Sequence, residues 1–217
     1  PEMLAWAEGA LAQTLPDGRR SLELMVFEYD ARRQQVLAAR GYAPTADWGM
    51  VRHLRIPAQP LPRPGLPAPY ILREVRPEDD ADCRRIADLL NAAFRRDFHN
   101  AAEYKMFAAG APCYVNALDL TAVAPDGSFA AYAAMPYDAA NRLGIFEPVC
   151  THPAHLRRGL ASSLMFEALA RAREMGATDV MVGTGDMTAA NALYDSLGFT
   201  EAYRQVVWRK AFVAQVS

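Results

Sequence analysis

The stretch from Gly144 to Ala161 reads GIFEPVCTHPAHLRRGLA and combines the end of an apolar strand, a short loop and the start of a helix. Two adjacent arginines precede the glycine that opens the helix. Helix N-termini present unpaired N–H groups and the positive end of the helix dipole, and glycine lets an anion approach the backbone closely. We therefore predict a phosphate-binding site formed by Arg157, Arg158, Gly159, Leu160, Ala161 and Ser162. The alternative is a helix that simply begins at a glycine beside two solvated arginines.

Hydrophobic patterns on both sides of this stretch alternate between strand and helix periods. Residues 159–174 place their apolar side chains on one stripe and stop before Gly176, as expected for a helix packed on a sheet. The turn Pro125-Asp126-Gly127 is typical of a hairpin. We predict further helices at 77–94, 101–109 and 189–197, and strands at 70–75, 117–124, 128–136, 142–150, 179–184 and 203–212. This order predicts an α/β (α+β) fold, a mixed sheet with helices on both faces.

Residues 56–69 contain six prolines and one glycine, a composition that disfavours both helices and central strands. We predict a linker at 57–69, a complete domain at 70–217, and an incomplete copy of the end of that domain at 1–56. The pattern strand, helix, Gly-aromatic, strand occurs in both parts, at 24–56 and at 180–212. Coincidence is the alternative, because this pattern is common. If the repeat is real, the beginning of the first copy is missing through truncation, processing or disorder.

In the repeat alignment, Leu37 matches Tyr194 and Gln34 matches Asn191. Leucine has no proton to donate, so we expect the first copy to have no active site of its own. An incomplete copy also leaves strand edges and apolar residues such as Leu24 and Val26 uncovered. We expect their cover to come from the second domain or from a neighbouring chain, which would make the protein a homodimer.

The charges nearly cancel, with 23 basic and 25 acidic residues, which argues against nucleic acid or an anionic membrane as a partner. No stretch reaches the roughly 18 to 20 apolar residues of a membrane span. The three cysteines form no CxxC pair and no Cys/His metal-ligand spacing, so we expect no disulfide framework, no metal and a cytoplasmic location. Arginine outnumbers lysine 21 to 2, which is typical of a GC-rich bacterial genome.

A second motif downstream, Asn191-x-x-Tyr194-x-x-x-Gly198-Phe199, together with the arginine loop, resembles the GNAT superfamily of acyl-CoA-dependent N-acyltransferases. The resemblance extends from Tyr70 to Lys210 and implies a GNAT-like, mostly antiparallel central sheet flanked by helices and preceded by a partial second copy. The tandem arrangement is similar to that of mycothiol synthases, which acylate a sugar amine. One position departs from the family motif Q/R-x-x-G-x-G/A: its first residue falls on Leu156, so Arg157 or Arg158 must take that role.

The resemblance implies acetyl-CoA as a co-substrate, bound along residues 149–151 and by the arginine loop. Val149 and Thr151 would pair with the pantetheine arm through their backbone, on either side of Cys150. The N–H near Val149 would polarise the thioester carbonyl. Asn191, one helical turn before Tyr194, would hydrogen-bond a pantetheine amide; otherwise it is a solvated polar residue.

Direct transfer to an amine requires a base and an acid. Glu147 is the acidic residue on the strand that leads into the loop, and we expect burial among apolar neighbours to raise its pKa towards that of a useful base. Its alternative roles are binding a substrate ammonium and capping the strand. By resemblance Tyr194 donates the proton to the leaving thiolate, and its alternative is a core aromatic. Cys150 is a candidate nucleophile, with a small buried residue as the favoured alternative.

The sequence thus predicts an N-acetyltransferase acting on a primary amine, on a small molecule or on a peptide. A non-catalytic acyl-CoA sensor or interaction module is the alternative, which the presence of both Glu147 and Tyr194 disfavours. His99, Asp119 and Tyr137 are candidates for the acceptor pocket. His152 and His155 flank Pro153 and are expected to be loop residues and not metal ligands.

Overall fold

A computed structural model of the protein describes residues 2–212. This range contains six α-helices: α1 Glu2–Ala10, α2 Ala31–Ala39, α3 Asp80–Phe94, α4 Ala101–Gly110, α5 Leu160–Glu174 and α6 Thr188–Ser196. It also contains eleven strands: β1 Gln13–Thr14, β2 Arg20–Phe27, β3 Ala43–Arg55, β4 Ile71–Glu74, β5 Asp119–Val123, β6 Phe129–Ala134, β7 Tyr137–Asp138, β8 Leu143–Phe146, β9 Val149–Thr151, β10 Asp179–Thr184 and β11 Glu201–Phe212. Within these residues, no helix has the length and apolar character needed to cross a membrane.

The chain forms two compact units, of which the first comprises, within the described range, residues 2–52, 184–188 and 201–212. Its strands are ordered β1-β2-β11-β3. Strand β11 pairs antiparallel with β2 over eight residue pairs, from Gln205 opposite Phe27 to Phe212 opposite Arg20. The edge of β2 that we expected to need cover is thus paired with β11, from the C-terminal part of the chain.

Leu22, Val26, Leu37 and Tyr42 form the small core of this unit. The first strand of the repeat pattern, expected from residue 24 onwards, lies at 20–27. Asp30 caps α2 by accepting a hydrogen bond from the Arg33 backbone N–H at 2.9 Å, so the chain after residue 27 turns into the helix. Strand, helix and strand occur in the predicted order here. The repeat, and the domain boundaries at 1–56, 57–69 and 70–217, stay predictions.

The second unit comprises residues 53–183 and 189–200. One sheet has the order β4-β5-β6-β9 with antiparallel neighbours, and β8 lies between β7 and β10, pairing parallel with β10. Every residue of β6 is buried, because α5 packs on one face of the strand and α3 on the other. The predicted mixed, mostly antiparallel sheet between helices is therefore confirmed.

The strand predicted at 142–150 is wrong in one respect, because it divides into β8 and β9. Residues 143–146 pair parallel with 179–182 of β10, whereas residues 149–151 pair antiparallel with 131–133 of β6. Between them lies Pro148, which has no N–H to continue a ladder of hydrogen bonds. The single strand thus passes from one set of neighbours to another at Glu147 and Pro148.

Helix α3 is held to β4 by a buried carboxylate. Asp82 is fully buried and accepts hydrogen bonds from Arg73 at 2.6 and 2.8 Å, from Arg85 at 2.9 Å, and from the Arg76 backbone at 3.2 Å. Burial alone would raise the pKa of Asp82, but the hydrogen bonds from Arg73 and Arg76 outweigh it and hold that pKa well below its usual value. The charged carboxylate therefore stabilises the fold.

Replacing Asp82 with Asn should lower the free energy of unfolding at pH 7 by about 2 kcal/mol, since charge-assisted hydrogen bonds to several arginines are lost. The depressed folded-state pKa means that this contribution is present above the unfolded pKa of about 4 and is lost as the pH falls below it. Urea denaturation of both proteins at pH 7 and pH 3 measures this difference. The matched control is Asp88→Asn, an exposed position on the same helix; an equal loss in both variants would contradict the assignment.

Candidate functional site

Strand β9 is an edge strand of its sheet. One side of β9 is hydrogen-bonded to β6, and these bonds show which backbone groups lie on the opposite, free side. The Ala134 N–H donates to the Pro148 carbonyl at 3.1 Å, and the His152 N–H donates to the Ala130 carbonyl at 2.9 Å. Because backbone groups alternate in direction along an antiparallel strand, those of Val149 and Thr151 point away from β6. Among the described residues, no strand pairs with them. The geometry is therefore that of a strand edge to which an extended ligand can add.

The arginine loop follows directly and ends in a free helix N-terminus. Gly159 precedes α5 with φ of +75°, and a side chain at this position would meet no atom within 4 Å. No described side chain caps the first turn, formed by Leu160, Ala161 and Ser162. Arg157 and Arg158 are exposed and make no ion pair with the described residues. Leu160 is buried and fixes the direction of the helix.

Two contacts brace this loop. The Tyr70 hydroxyl lies 2.9 Å from Nδ1 of His155, and the guanidinium of Arg158 lies 5.9 Å from the centre of the Tyr70 ring. Burial, followed by the charges of His152 and Arg158, lowers the pKa of His155. His152 accepts a hydrogen bond from the Ala154 backbone at 3.2 Å. Both histidines thus have structural partners within the loop, and the described residues contain no group of three or more metal-binding side chains.

Tyr194 lies on α6 with its side chain 6% exposed and its ring packed on Phe199 at 6.0 Å. Burial raises the pKa of Tyr194, and the nearby charge of Glu147 raises it further. The phenol therefore keeps its proton at neutral pH, as an acid must. Asn191, one turn earlier, is half-buried. Their roles towards a thioester stay predictions.

A cavity of the second unit has a volume of about 340 Å³, and Glu147 lines it. Helices α3 and α4 form most of its wall, and Pro148 and Tyr132 complete the side made by strands. Its size is within the range of small-molecule pockets. Glu147 itself is exposed, so the burial we expected for this side chain is wrong. Glu147 thus lies where the strand divides and lines the cavity next to the free edge of β9.

The acceptor-pocket residues predicted from sequence fall in three different places. His99 lines the cavity. Asp119 is buried beneath it and accepts hydrogen bonds from Tyr104 and, at 2.8 Å, from Tyr114. Tyr137 does not line the cavity, and its hydroxyl donates to the Met175 carbonyl at 3.3 Å.

Tyr104 and Tyr132 also line the cavity, although no motif in the sequence marks them. A buried Asp119 facing three tyrosines requires partners from α4 and β6, which one strand pattern cannot reveal. Desolvation raises the pKa of Asp119, and the hydrogen bonds from these tyrosines oppose that effect.

Cys150 is 7% exposed, and burial raises the pKa of its thiol to about 12. A nucleophilic cysteine needs an accessible thiolate. The candidate nucleophile is therefore a small buried residue of β9.

Comparison with known proteins agrees with this geometry. The family model of the GNAT acetyltransferases matches residues 83–199, more than half of the chain. No curated protein sequence matches the chain significantly.

Solved structures with the same fold include a GCN5-related N-acetyltransferase from Sphaerobacter thermophilus, with a TM-score of 0.69 and 20% identity over 89% of this chain and 60% of that one. A tandem GNAT protein from the clavulanic acid biosynthesis pathway gives a TM-score of 0.71 and 18% identity over 91% of this chain and 65% of its own. A GCN5-related N-acetyltransferase from Kribbella flavida gives 0.63 and 20% identity over 96% and 73%.

The chain spans less than two thirds of the first two of these structures. At such identities the likeness concerns the fold alone. The family match, which includes α3, the divided strand, the arginine loop and the helix of Tyr194, is the stronger evidence. The chain belongs to the GNAT acetyltransferase family.

Proposed function

We propose that this protein moves an acetyl group from acetyl-CoA directly to a primary amine of a small molecule. GNAT proteins transfer an acyl group from coenzyme A to an acceptor. The observation that carries the proposal is the position of Glu147, which lines the cavity and immediately precedes Pro148 and the free edge of β9. A base at this junction serves an amine in the cavity and a thioester along the strand.

Acetyl-CoA would bind to the residues that follow Glu147 in the chain, in β9 and the arginine loop. The pyrophosphate would bind at the uncapped first turn of α5 between Arg157 and Arg158, and the pantetheine amides would pair with the backbone of Val149 and Thr151. Asn191 would hydrogen-bond the same arm. These contacts would bring the thioester towards Tyr194.

In the proposed reaction, Glu147 takes a proton from the acceptor ammonium and the free amine attacks the thioester carbonyl carbon. A C–N bond forms and the C–S bond breaks. Tyr194 donates its proton to the departing thiolate, which leaves as free coenzyme A. The nitrogen loses a second proton as the amide forms, and this proton returns to the Tyr194 phenolate, while the proton taken by Glu147 passes to solvent. The raised pKa of Tyr194 is favourable for a proton donor that must stay protonated until the sulfur leaves.

Replacing Gly159 with Glu should weaken acetyl-CoA binding at least about 100-fold, because a carboxylate would occupy the place of the phosphate. Gly159→Ala carries the same strain at positive φ without the charge and should bind with less than about tenfold loss. Isothermal titration calorimetry with acetyl-CoA compares the variants. Equal affinities of Gly159→Glu and Gly159→Ala for acetyl-CoA would contradict phosphate binding at this loop.

The acid and base assignments predict that Glu147→Gln and Tyr194→Phe each lower kcat by about 10² to 10⁴. The deficit of Glu147→Gln should shrink as the pH rises, since more of the acceptor is then already unprotonated. Acetyl-CoA affinity should stay unchanged in Tyr194→Phe. Release of free thiol over a pH series measures the loss of kcat and its pH dependence. Calorimetry measures the affinity for acetyl-CoA.

The control for this pair is Tyr203→Phe, a more exposed tyrosine of β11 in the other unit. It should retain full activity. If Tyr194→Phe weakened acetyl-CoA binding and spared turnover, Tyr194 would be a packing residue.

Direct transfer also predicts that Cys150 carries no acetyl group during turnover. Cys150→Ala should keep kcat within about threefold, and peptide mass spectrometry of protein mixed with acetyl-CoA should find no acetylated Cys150. Alkylation by iodoacetamide provides an internal control, because half-exposed Cys113 should react well before buried Cys150 and Cys83. An acetyl adduct that forms and decays at the rate of turnover would establish a covalent route instead.

A further inference from the structure

The cavity at Glu147 has a chemical character of its own, set by its lining. Five apolar side chains of α3 and α4 form most of its wall: Ile86, Ala87, Leu90, Phe94 and Phe107. Phe94 and Phe107 are each 39% exposed, so they continue from the cavity wall to the surface. An acceptor bound here would place its body against hydrocarbon.

Most polar groups of the lining already have partners within the protein. Tyr104 donates its hydroxyl proton to Asp119, and Tyr132 hydrogen-bonds the same carboxylate. Nδ1 of His99 contacts Glu103 at 3.1 Å, while the buried Nε2 of the same ring has no partner among the described residues. Asn100 accepts from the Glu103 backbone at 3.1 Å and donates to the Phe98 carbonyl at 3.4 Å. Few donors or acceptors are therefore left for a ligand with many hydroxyl groups.

Two charged groups of the lining make no hydrogen bond or ion pair through their side chains with the described residues: Glu147 and Arg96. The Arg96 guanidinium lies 5.1 Å from the centre of the Phe94 ring and 5.5 Å from that of Phe98. Glu147 suits one ammonium. Glu103, the other carboxylate of the lining, is paired with His99 at 3.1 Å, and the cation of Arg96 repels a second ammonium on the same ligand. The charges thus favour a ligand with a single positive charge.

We propose that this cavity selects a primary amine with an apolar body and a single positive charge, an aryl- or alkylamine, over amino sugars and polyamines. This inference rests on the proposed function, since it names the acceptor for the same site. Burying sugar hydroxyls against Leu90 and Phe107 would leave them without hydrogen bonds, which is costly. The same wall favours hydrocarbon by the hydrophobic effect.

Two matched pairs of amines test the selection. Cyclohexylamine and glucosamine both carry an amine on a six-membered ring, and they differ mainly in hydroxyl groups. Butylamine and 1,4-diaminobutane differ in the second ammonium. We expect kcat/KM to be at least about tenfold higher for the first member of each pair.

Paired variants assign the selection to the cavity. Phe107→Ala should lower kcat/KM for cyclohexylamine about tenfold, whereas Met106→Ala, the adjacent residue of α4 that does not line the cavity and is 75% exposed, should not. Arg96→Gln should make kcat/KM for butylamine and for 1,4-diaminobutane more nearly equal. Arg95→Gln should leave the ratio of these two kcat/KM values unchanged. Calorimetry of cyclohexylamine with each variant gives a readout that does not depend on turnover.

The possible results separate this inference from the proposed function. Preferred turnover of glucosamine or 1,4-diaminobutane would overturn the inference and leave acetyl transfer standing. Cyclohexylamine that binds, loses affinity in Phe107→Ala and is not acetylated would support the inference and contradict the proposed function. Absence of both binding and turnover with cyclohexylamine and butylamine would overturn the inference.

Discussion

The site depends on one constraint, which is the change of strand partner at Glu147 and Pro148. The Glu147 N–H donates to the Ala134 carbonyl of β6 at 3.0 Å, so the chain leaves β10 here and continues as β9 beside β6. Pro148 has no N–H to add to either ladder. The change of partner leaves the outer backbone groups of Val149 and Thr151 free. It also puts Glu147 at the point of divergence, where its carboxylate reaches the cavity. This one change of partner thus creates both a free strand edge and the place for the proposed base.

The sheet around this point is covered on both faces, because α5 and α3 pack on β6. Its alanines, including Ala131 and Ala133, let the helices approach closely, and Asp82 ties α3 to the arginines of β4 and its following loop. The sheet and helix that form the floor of the cavity between α3 and α4 are therefore closely packed. By contrast, the rim carries exposed aromatics such as Phe98, which is 60% exposed.

Much of this fold was predictable from the sequence, and the exceptions have physical reasons. The helix after Gly159 and the strand at 179–184 stand out because their apolar patterns have one clear period, and both lie where expected. The division of residues 142–150 was missed although Pro148 was visible, since the proline breaks the ladder without changing the apolar pattern. The phosphate-binding prediction for the arginine loop depended only on neighbouring residues, namely two arginines, a glycine and the start of a helix.

The cavity was harder to predict because its lining comes from separate elements. Tyr104 and Tyr132 are 28 residues apart, and only the folded sheet brings both to Asp119. The exposure of Glu147 likewise follows from the change of strand partners, which apolar sequence neighbours cannot indicate. A local motif such as the arginine loop can thus be read from the sequence, whereas the convergence of distant side chains on one cavity cannot.

The pairing of β11 with β2 has a consequence for how the protein is made. At about 5 to 20 residues per second, the ribosome needs on the order of 10 to 35 s to synthesise the chain between the end of β2 and the start of β11. Through that interval β2, with Leu22 and Val26, lacks the strand that covers it in the native fold. Contacts between such distant residues also form slowly. The nascent N-terminal part is therefore an unpaired apolar edge, a natural target for chaperones and for misassembly between neighbouring chains on one message.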